Sequence, residues 1–152
     1  MRVGLRLPLA GLAAFALAIT GIVGLAPAQA ATGTITGFGG KCVDVQAANP
    51  ANGTQVQLWT CNGTGAQSWT VSGSTITALG KCLDVAAANS ANGTKVQIYD
   101  CNGTNAQQWT VGSDGTIRAL GKCLDATGVS SADGTPLQIW DCSGGPNQRW
   151  TT

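Results

Sequence analysis

The chain has 152 residues, 22 of them glycine, with 10% charged and a formal net charge of +1. No stripe of lysine or arginine is present to follow a phosphate backbone, so nucleic acid is excluded as a partner. Histidine is absent, and all seven acidic residues are aspartate, so a serine or cysteine nucleophile has no usual base.

Residues 1–30 read as a secretory signal peptide. Arg2 and Arg6 form a short basic head, Leu7 to Leu25 is almost wholly apolar, and Ala28-Gln29-Ala30 matches a small-x-small cleavage site. A retained anchor is the alternative, because the apolar stretch is nearly long enough to span a bilayer. The cleavage site and the abrupt polar shift at Thr32 favour removal. The expected mature chain is 31–152, secreted, with no membrane span after cleavage and the size of one ordinary domain. Its cations are Lys41, Lys81, Lys95, Lys122, Arg118 and Arg149, which against seven aspartates give a charge of −1. All six cysteines lie in the exported part, an even number in an oxidising compartment, so disulfides are expected. No CxxC pair exists, and the uniform long spacing argues against zinc.

From Thr34 onward the chain is written three times. Thr34-Ile35-Thr36, Thr75-Ile76-Thr77 and Thr116-Ile117-Arg118 open units of about 41 residues. Each opening is followed by a cysteine-bearing run: KCVDV from Lys41, KCLDV from Lys81 and KCLDA from Lys122. In an extended chain Leu83 and Val85 share one face, and Cys82 and Asp84 the other. A carboxylate in so apolar a run is costly to bury, so it needs a partner or an exit to solvent. A second cysteine follows the first at one fixed separation: Cys42 and Cys61, Cys82 and Cys101, Cys123 and Cys142. Each unit then closes on a Gln-x-Trp: Gln67-Ser68-Trp69, Gln107-Gln108-Trp109 and Gln148-Arg149-Trp150. The third unit stops just after its tryptophan. Thr34-Ile35-Thr36 supplies the segment that completes it, as a closed three-fold ring requires.

Within the second unit, KCLDV is one strand, bounded by the Ala/Asn/Ser-rich stretch and Asn92-Gly93. Lys95 to Tyr99 alternates and is a second, Gln108 to Val111 is a third, and Thr116 to Leu120 opens the next unit. The Asn-Gly and Asp-Gly pairs suit tight hairpin turns. No segment after the leader has a helical period of useful length. Four strands in each of three units predict an all-β, barrel-like fold with pseudo-three-fold symmetry, in lobes of about 34–74, 75–115 and 116–152. An open solenoid is the competing architecture. Three units without distinct caps, each too small to bury its own apolar face, favour closure.

Gly-x-Cys-Leu-Asp, then Gly-Thr-x-Val-Gln-x-Trp/Tyr, then Cys and Gln-x-Trp, three times over, resembles the ricin B-type lectin domain. It is similar also to the family 13 carbohydrate-binding modules of secreted bacterial enzymes. The resemblance covers essentially all of 34–152 and implies a β-trefoil with one disulfide per lobe and up to three shallow sugar sites, α, β and γ. Of the 15 possible cysteine pairings, only Cys42–Cys61, Cys82–Cys101 and Cys123–Cys142 repeat one separation in every lobe. By position, the resemblance makes Asp44, Asp84 and Asp125 the acceptors of sugar hydroxyls. Trp59, Tyr99 and Trp140 become the stacking rings, each two residues after Gln57, Gln97 or Gln138. Gln67, Gln107 and Gln148 are expected to support the aspartate and the bound hydroxyls. Sugars suit these groups, since adjacent hydroxyls donate together to a carboxylate and a patch of C–H groups lies on an aromatic face. Trp69, Trp109 and Trp150 are expected in the core.

Two lobes depart from the family pattern, which has an asparagine just before the Gln-x-Trp. Asn147 precedes Gln148, but Ala66 precedes Gln67 and Ala106 precedes Gln107. Asn62 and Asn102, directly after the second cysteines, are the candidates to reach in instead. An alternative role for the aspartates is to cap the turn that follows them. The four Asn-Gly-Thr triplets at Asn52, Asn62, Asn92 and Asn102 match a glycosylation sequon but are explained by turn chemistry.

The reading is a secreted, non-catalytic carbohydrate-binding module, expected to be monomeric and to need no cofactor or metal. Its ligand is a galactose-type sugar or a xylan-type polysaccharide. Glycoside hydrolysis needs two carboxylates about 5–10 Å apart, whereas the repeat places one aspartate on each separate lobe. Asp100 and Asp141 are the only further candidates, and the first repeat has Thr60 at that place. A protease inhibitor of this fold would need an idiosyncratic loop that the repeats do not contain. A sugar- or receptor-binding subunit acting with a separate enzyme or toxin polypeptide is the remaining alternative.

Overall fold

The structure is a computed structural model that describes Gly21, Gly24 and residues 29–152. The expected signal peptide therefore lies almost wholly outside the described residues. The described residues form eleven short strands: β1 Ala31–Gly33, β2 Cys42–Val45, β3 Val56–Trp59, β4 Trp69–Ser72, β5 Thr75–Ala78, β6 Lys81–Val85, β7 Thr94–Tyr99, β8 Thr110–Val111, β9 Ile117–Ala119, β10 Lys122–Ala126 and β11 Leu137–Trp140. Nine form one antiparallel sheet in the order β1-β4-β5-β6-β7-β11-β10-β9-β8, and β2 and β3 form a separate hairpin.

In every lobe the cysteine strand pairs with the glutamine strand so that Asp44 faces Gln57, Asp84 faces Gln97 and Asp125 faces Gln138. That register puts a carboxamide donor beside each carboxylate, as cross-strand neighbours must be. The ring closes where the repeat predicts. Thr36 N–H donates to the Thr151 carbonyl at 2.9 Å and Thr151 N–H to the Thr36 carbonyl at 2.8 Å. The fourth strand of the third lobe is thus reduced to one bridge. β1, with no counterpart in the other lobes, lies along the outer edge of β4.

One core, drawn from all three lobes, fills the centre. It includes Val43, Leu83, Leu124, Leu58, Ile98, Ile139 and the three Gln-x-Trp tryptophans. Trp69, Trp109 and Trp150 are buried, and each indole donates to the carbonyl just before an aspartate: Val43 at 2.8 Å, Leu83 at 2.9 Å and Leu124 at 3.0 Å. Trp150 leaves room for nothing at Gly37, where a Cβ would sit 2.3 Å from the ring. The three disulfides are Cys42–Cys61, Cys82–Cys101 and Cys123–Cys142, each closing a separation of 19 residues. A loop of that length contributes about 3 kcal/mol on the chain-entropy model.

One alternative is decided and two expectations change. The cysteine strands are buried on both faces, aspartates included, because the lobe's own Gln-x-Trp turn covers the face opposite the core. Among the described residues seven 3-10 turns punctuate the chain, including Gln46–Ala48, Ala86–Ala88 and Thr127–Val129, where only loop was expected. The Asn-Gly pairs are not two-residue hairpins. Gly53 and Gly93 take φ of 87° and 86° inside turns closed by Thr54 N–H to Ala51 O and Thr94 N–H to Ala91 O. A positive φ at the third turn residue alone is the type II pattern, which glycine adopts without strain.

Candidate functional site

Three equivalent recesses open on the outside of the trefoil, one per lobe. The first is lined by Asp44, Gln57, Trp59 and Ala66, the second by Asp84, Gln97, Tyr99 and Ala106, and the third by Asp125, Gln138, Trp140 and Asn147. Their volumes run from 400 to 440 Å³. A larger hollow of 540 Å³ beside β1, lined by Thr32, Trp69 and Val71, contains no aspartate side chain and no exposed ring.

The floor of each recess is the aspartate. Asp44, Asp84 and Asp125 keep only 5%, 5% and 4% of their surface exposed. Burial at that level demands partners, and the repeat supplies them from two elements. Gln57 Nε2 donates to Asp44 Oδ1 and Gln67 Nε2 to Oδ2, both at 3.0 Å. Gln97 and Gln107 hold Asp84 in the same way, each at 2.9 Å. Asp125 accepts from Gln138 at 3.0 Å, Asn147 at 2.9 Å and Gln148 at 2.8 Å. No backbone N–H among the described residues donates to these carboxylates, so they are not turn caps. With about four acceptor positions on a carboxylate, Asp44 and Asp84 retain one on each oxygen. Asp125 retains its free capacity on Oδ1.

Gln67, Gln107 and Gln148 sit behind the aspartates, almost fully buried, and all their polar atoms are used inside the protein. Gln67 Nε2 also donates to the Thr60 carbonyl at 3.0 Å, and its Oε1 accepts from Asn62 N–H at 2.8 Å. They orient the carboxylates, and no atom is left for a ligand hydroxyl. That corrects half of the role expected of them. Asn62 and Asn102 line the recess rims, but their carboxamide oxygens accept from Thr64 and Thr104, not from the aspartates' surroundings. They do not substitute for the missing asparagine. Ala66 and Ala106 simply leave its place to the recess.

The rings stand on the opposite wall. Trp59, Tyr99 and Trp140 are 40%, 40% and 42% exposed, the reverse of the buried Gln-x-Trp tryptophans. Facing them are consecutive residues of left-handed φ: Ala47 and Ala48 at 55° and 50°, Ala87 and Ala88 at 54° and 51°, Gly128 and Val129 at 66° and 53°. Non-glycine residues, and a β-branched valine above all, adopt this conformation only when the surroundings impose it. The tandem twist folds the chain back as a low wall, a feature invisible in the composition of these segments.

Asp100 and Asp141 line none of the recesses. Lys81 hydrogen-bonds Asp100 at 2.6 Å and Lys122 hydrogen-bonds Asp141 at 2.5 Å. These bonds, aided by Asn52 and Asn92, hold both carboxyls below the usual aspartate range. Lys41 and Thr60 do the same for Asp133. Among the described residues there is no group of three or more potential metal ligands, and no helix is long and apolar enough to cross a membrane.

A three-fold ring of disulfide-closed lobes, each with a sunken aspartate and a raised ring, is the pattern of one family. The match to its model, the ricin-type beta-trefoil lectin domain, runs over residues 31–150. The chain belongs to this family. It has a carbohydrate-binding lectin fold, a type of domain that is itself non-catalytic. Among solved structures it is similar to the agglutinin from Abrus precatorius, with 34% identity, a TM-score of 0.74, and coverage of 81% of this chain and 48% of that one. It is similar also to a non-toxic homologue of type II RIPs from Momordica charantia (bitter gourd), solved in complex with alpha-methyl-D-galactoside. There the identity is 32%, the TM-score 0.74, and the coverage 82% of this chain and 48% of that one. A designed three-fold symmetric protein, ThreeFoil, matches with 28% identity, a TM-score of 0.68 and coverage of 78% and 95%. The lectin chain thus spans about half the length of the two plant proteins. No curated protein matches it.

Proposed function

We propose that this lectin is a secreted, non-catalytic module that binds terminal galactose-type sugars through its three recesses, acting together on a polymer. One observation carries the reading: each carboxylate is fixed by two carboxamides with acceptor capacity left toward an exposed aromatic ring. Two adjacent sugar hydroxyls donate to the aspartate while the C–H face lies on Trp59, Tyr99 or Trp140. Gln57, Gln97 and Gln138 hold the aspartate at the recess edge, and Asn147 adds a third donor in the γ recess alone. The galactose preference is supported by the galactoside complex of the bitter gourd relative. Secretion is supported by the leader-like residues 1–30 and by the three disulfides.

Calorimetric titration with galactose, lactose, N-acetylgalactosamine and xylo-oligosaccharides, guided by a glycan array, tests the proposal. Saturable binding of a galactoside, displaced by free galactose, is the expected result. Binding of xylo-oligosaccharides alone replaces the sugar class, and binding of no glycan overturns the function. A second reading, in which the module serves a larger enzyme, draws on an exo-beta-1,3-galactanase from Clostridium thermocellum. This chain matches 28% of that protein's length at 31% identity, with a TM-score of 0.70 and 77% of this chain covered.

A further inference from the structure

The residue just after each exposed ring is held from outside its own lobe. Asn92, in the second lobe, reaches the third: its Nδ2 donates to Asp141 Oδ2 at 2.8 Å, and its Oδ1 accepts from Asp141 N–H at 2.8 Å. Asp141 is the residue directly after Trp140. Gly93 lies beneath the same ring, where a Cβ would stand 3.6 Å from Trp140 Cζ3, and its N–H donates to the Ile139 carbonyl at 2.9 Å. Lys122 Nζ closes the cluster on both Asp141 Oδ1 and Asn92 Oδ1. The first lobe clasps the second alike. Asn52 Nδ2 donates to Asp100 Oδ2 at 2.8 Å, and Asp100 N–H donates to Asn52 Oδ1 at 2.9 Å, just after Tyr99.

At the third junction the same clasp is written with its chemistry exchanged. The carboxylate stands on the reaching turn, as Asp133, and the receiving residue after Trp59 is Thr60. Asp133 Oδ1 accepts from Thr60 N–H and from Lys41 Nζ, both at 2.7 Å, and its Oδ2 accepts from Thr60 Oγ1 at 2.9 Å. Gly134 lies under Trp59, with a Cβ placed there 3.9 Å from the ring. Every junction therefore keeps one lysine, one carboxylate and one bond to the backbone N–H after the ring, although the carboxylate changes sides. That constancy is what a joining element needs, and a solitary turn does not.

We propose that Asn92, Asn52 and Asp133 are positioning residues for the aromatic platform of the next lobe, setting Trp140, Tyr99 and Trp59 respectively. Each ring is the last residue of its strand, and the backbone just after it is the first point beyond the ladder. Fixing it, with a glycine packed beneath Trp140 and Trp59, fixes a half-exposed side chain. The placement of the ring is independent of the ligand. Its consequence for affinity rests on the sugar reading above.

The test uses the protein labelled with 5-fluorotryptophan, whose 19F spectrum reports each of the five tryptophans, with Trp140 assigned by Trp140→Phe. Asn92→Ala should shift and broaden the Trp140 signal and leave Trp59 unmoved. In titrations with alpha-methyl-D-galactoside, affinity read at Trp140 should fall roughly three- to tenfold, as for one or two lost hydrogen bonds, with Trp59 again unaffected. Asn92→Asp alone, which sets two carboxylates together, should perturb Trp140 as well. Asn92→Asp combined with Asp141→Thr, copying the third junction, should restore both signal and affinity. A folded Asn92→Ala protein with an unmoved Trp140 signal overturns the inference, as does failure of the double exchange to restore it. If no ring of the parent responds to the galactoside while Asn92→Ala still moves Trp140, positioning stands and the sugar reading falls.

Discussion

Replacing Asp125 by asparagine separates the aspartate's structural duty from its binding duty. Shape and one oxygen are kept, while the other oxygen becomes a donor. Gln148 cannot turn to accommodate it, because its Nε2 also donates to the Asp141 carbonyl at 3.0 Å and its Oε1 accepts from Ser143 N–H at 2.8 Å. The new oxygen must therefore face Gln148 and Asn147, and the new NH₂ must face Gln138, whose half-buried carboxamide can rotate to accept. Three charge-assisted bonds become neutral ones at about 1 kcal/mol each, a loss of roughly 3 kcal/mol. For a domain this size that is a fall in melting temperature of about 10 °C, measurable by scanning calorimetry. The protein stays folded, since typical domains hold about 5–15 kcal/mol. Binding responds differently, because a sugar hydroxyl now meets a donor. Losing a charged acceptor removes about 1.5–3 kcal/mol, so monosaccharide affinity should drop roughly ten- to a hundredfold in isothermal titration. Asp44→Asn and Asp84→Asn should weaken polysaccharide binding more than free sugar, through lost multivalency. A folded Asp125→Asn protein that binds monosaccharide as the parent does refutes the assignment of the aspartate to the ligand.

The two classes of aromatic residue should part cleanly. Trp109→Ala should lower stability by about 3–5 kcal/mol in urea titrations, whereas Trp140→Ala should barely alter the unfolding midpoint and should abolish γ binding. Because the folded pKa values of Asp100, Asp133 and Asp141 lie below the ordinary 3.8, their contribution is fully present above that value. It is lost as pH falls through the lowered folded values. Melting temperature followed from pH 5 downward should fall, and Asp100→Asn with Asp141→Asn should flatten that fall. Sugar binding should survive EDTA, with affinity unchanged in paired titrations, since no recess gathers the six to eight oxygens of a calcium cage. Affinity lost on chelation and restored by calcium refutes that reading.

The repeat made much of this protein legible without coordinates. Three equal spacings of cysteine imply three equal bridges, and the recurrence of Thr-Ile at Thr34, Thr75 and Thr116 marks three equivalent units. These are properties of order along the chain, so the sequence contains them. Which tryptophans are buried was also readable, because those of Gln-x-Trp alternate with polar neighbours and the family that the chain resembles buries them. The turns at Gln46–Ala48 and Ala86–Ala88 escaped because two successive left-handed alanines carry no local signature. Nothing in Gln46-Ala47-Ala48 favours that geometry, and the surrounding lobe imposes it.

The aspartate itself marks the boundary between the two kinds of information. Its identity and its three-fold repetition are written in KCVDV, KCLDV and KCLDA. That it is buried, pinned on both oxygens and aimed at a ring depends on a cross-strand register and on a Gln-x-Trp turn arriving from later in the lobe. The junctions go further still. Asn52 with Asp100, Asn92 with Asp141 and Asp133 with Thr60 are 48, 49 and 73 residues apart. The exchange of acid between the two sides is visible in an alignment of the repeats, but only folding brings the sides together. The chain alone determines which residues recur. Hydrogen bonds within and between lobes, which form only when the chain folds, decide what the recurring residues do.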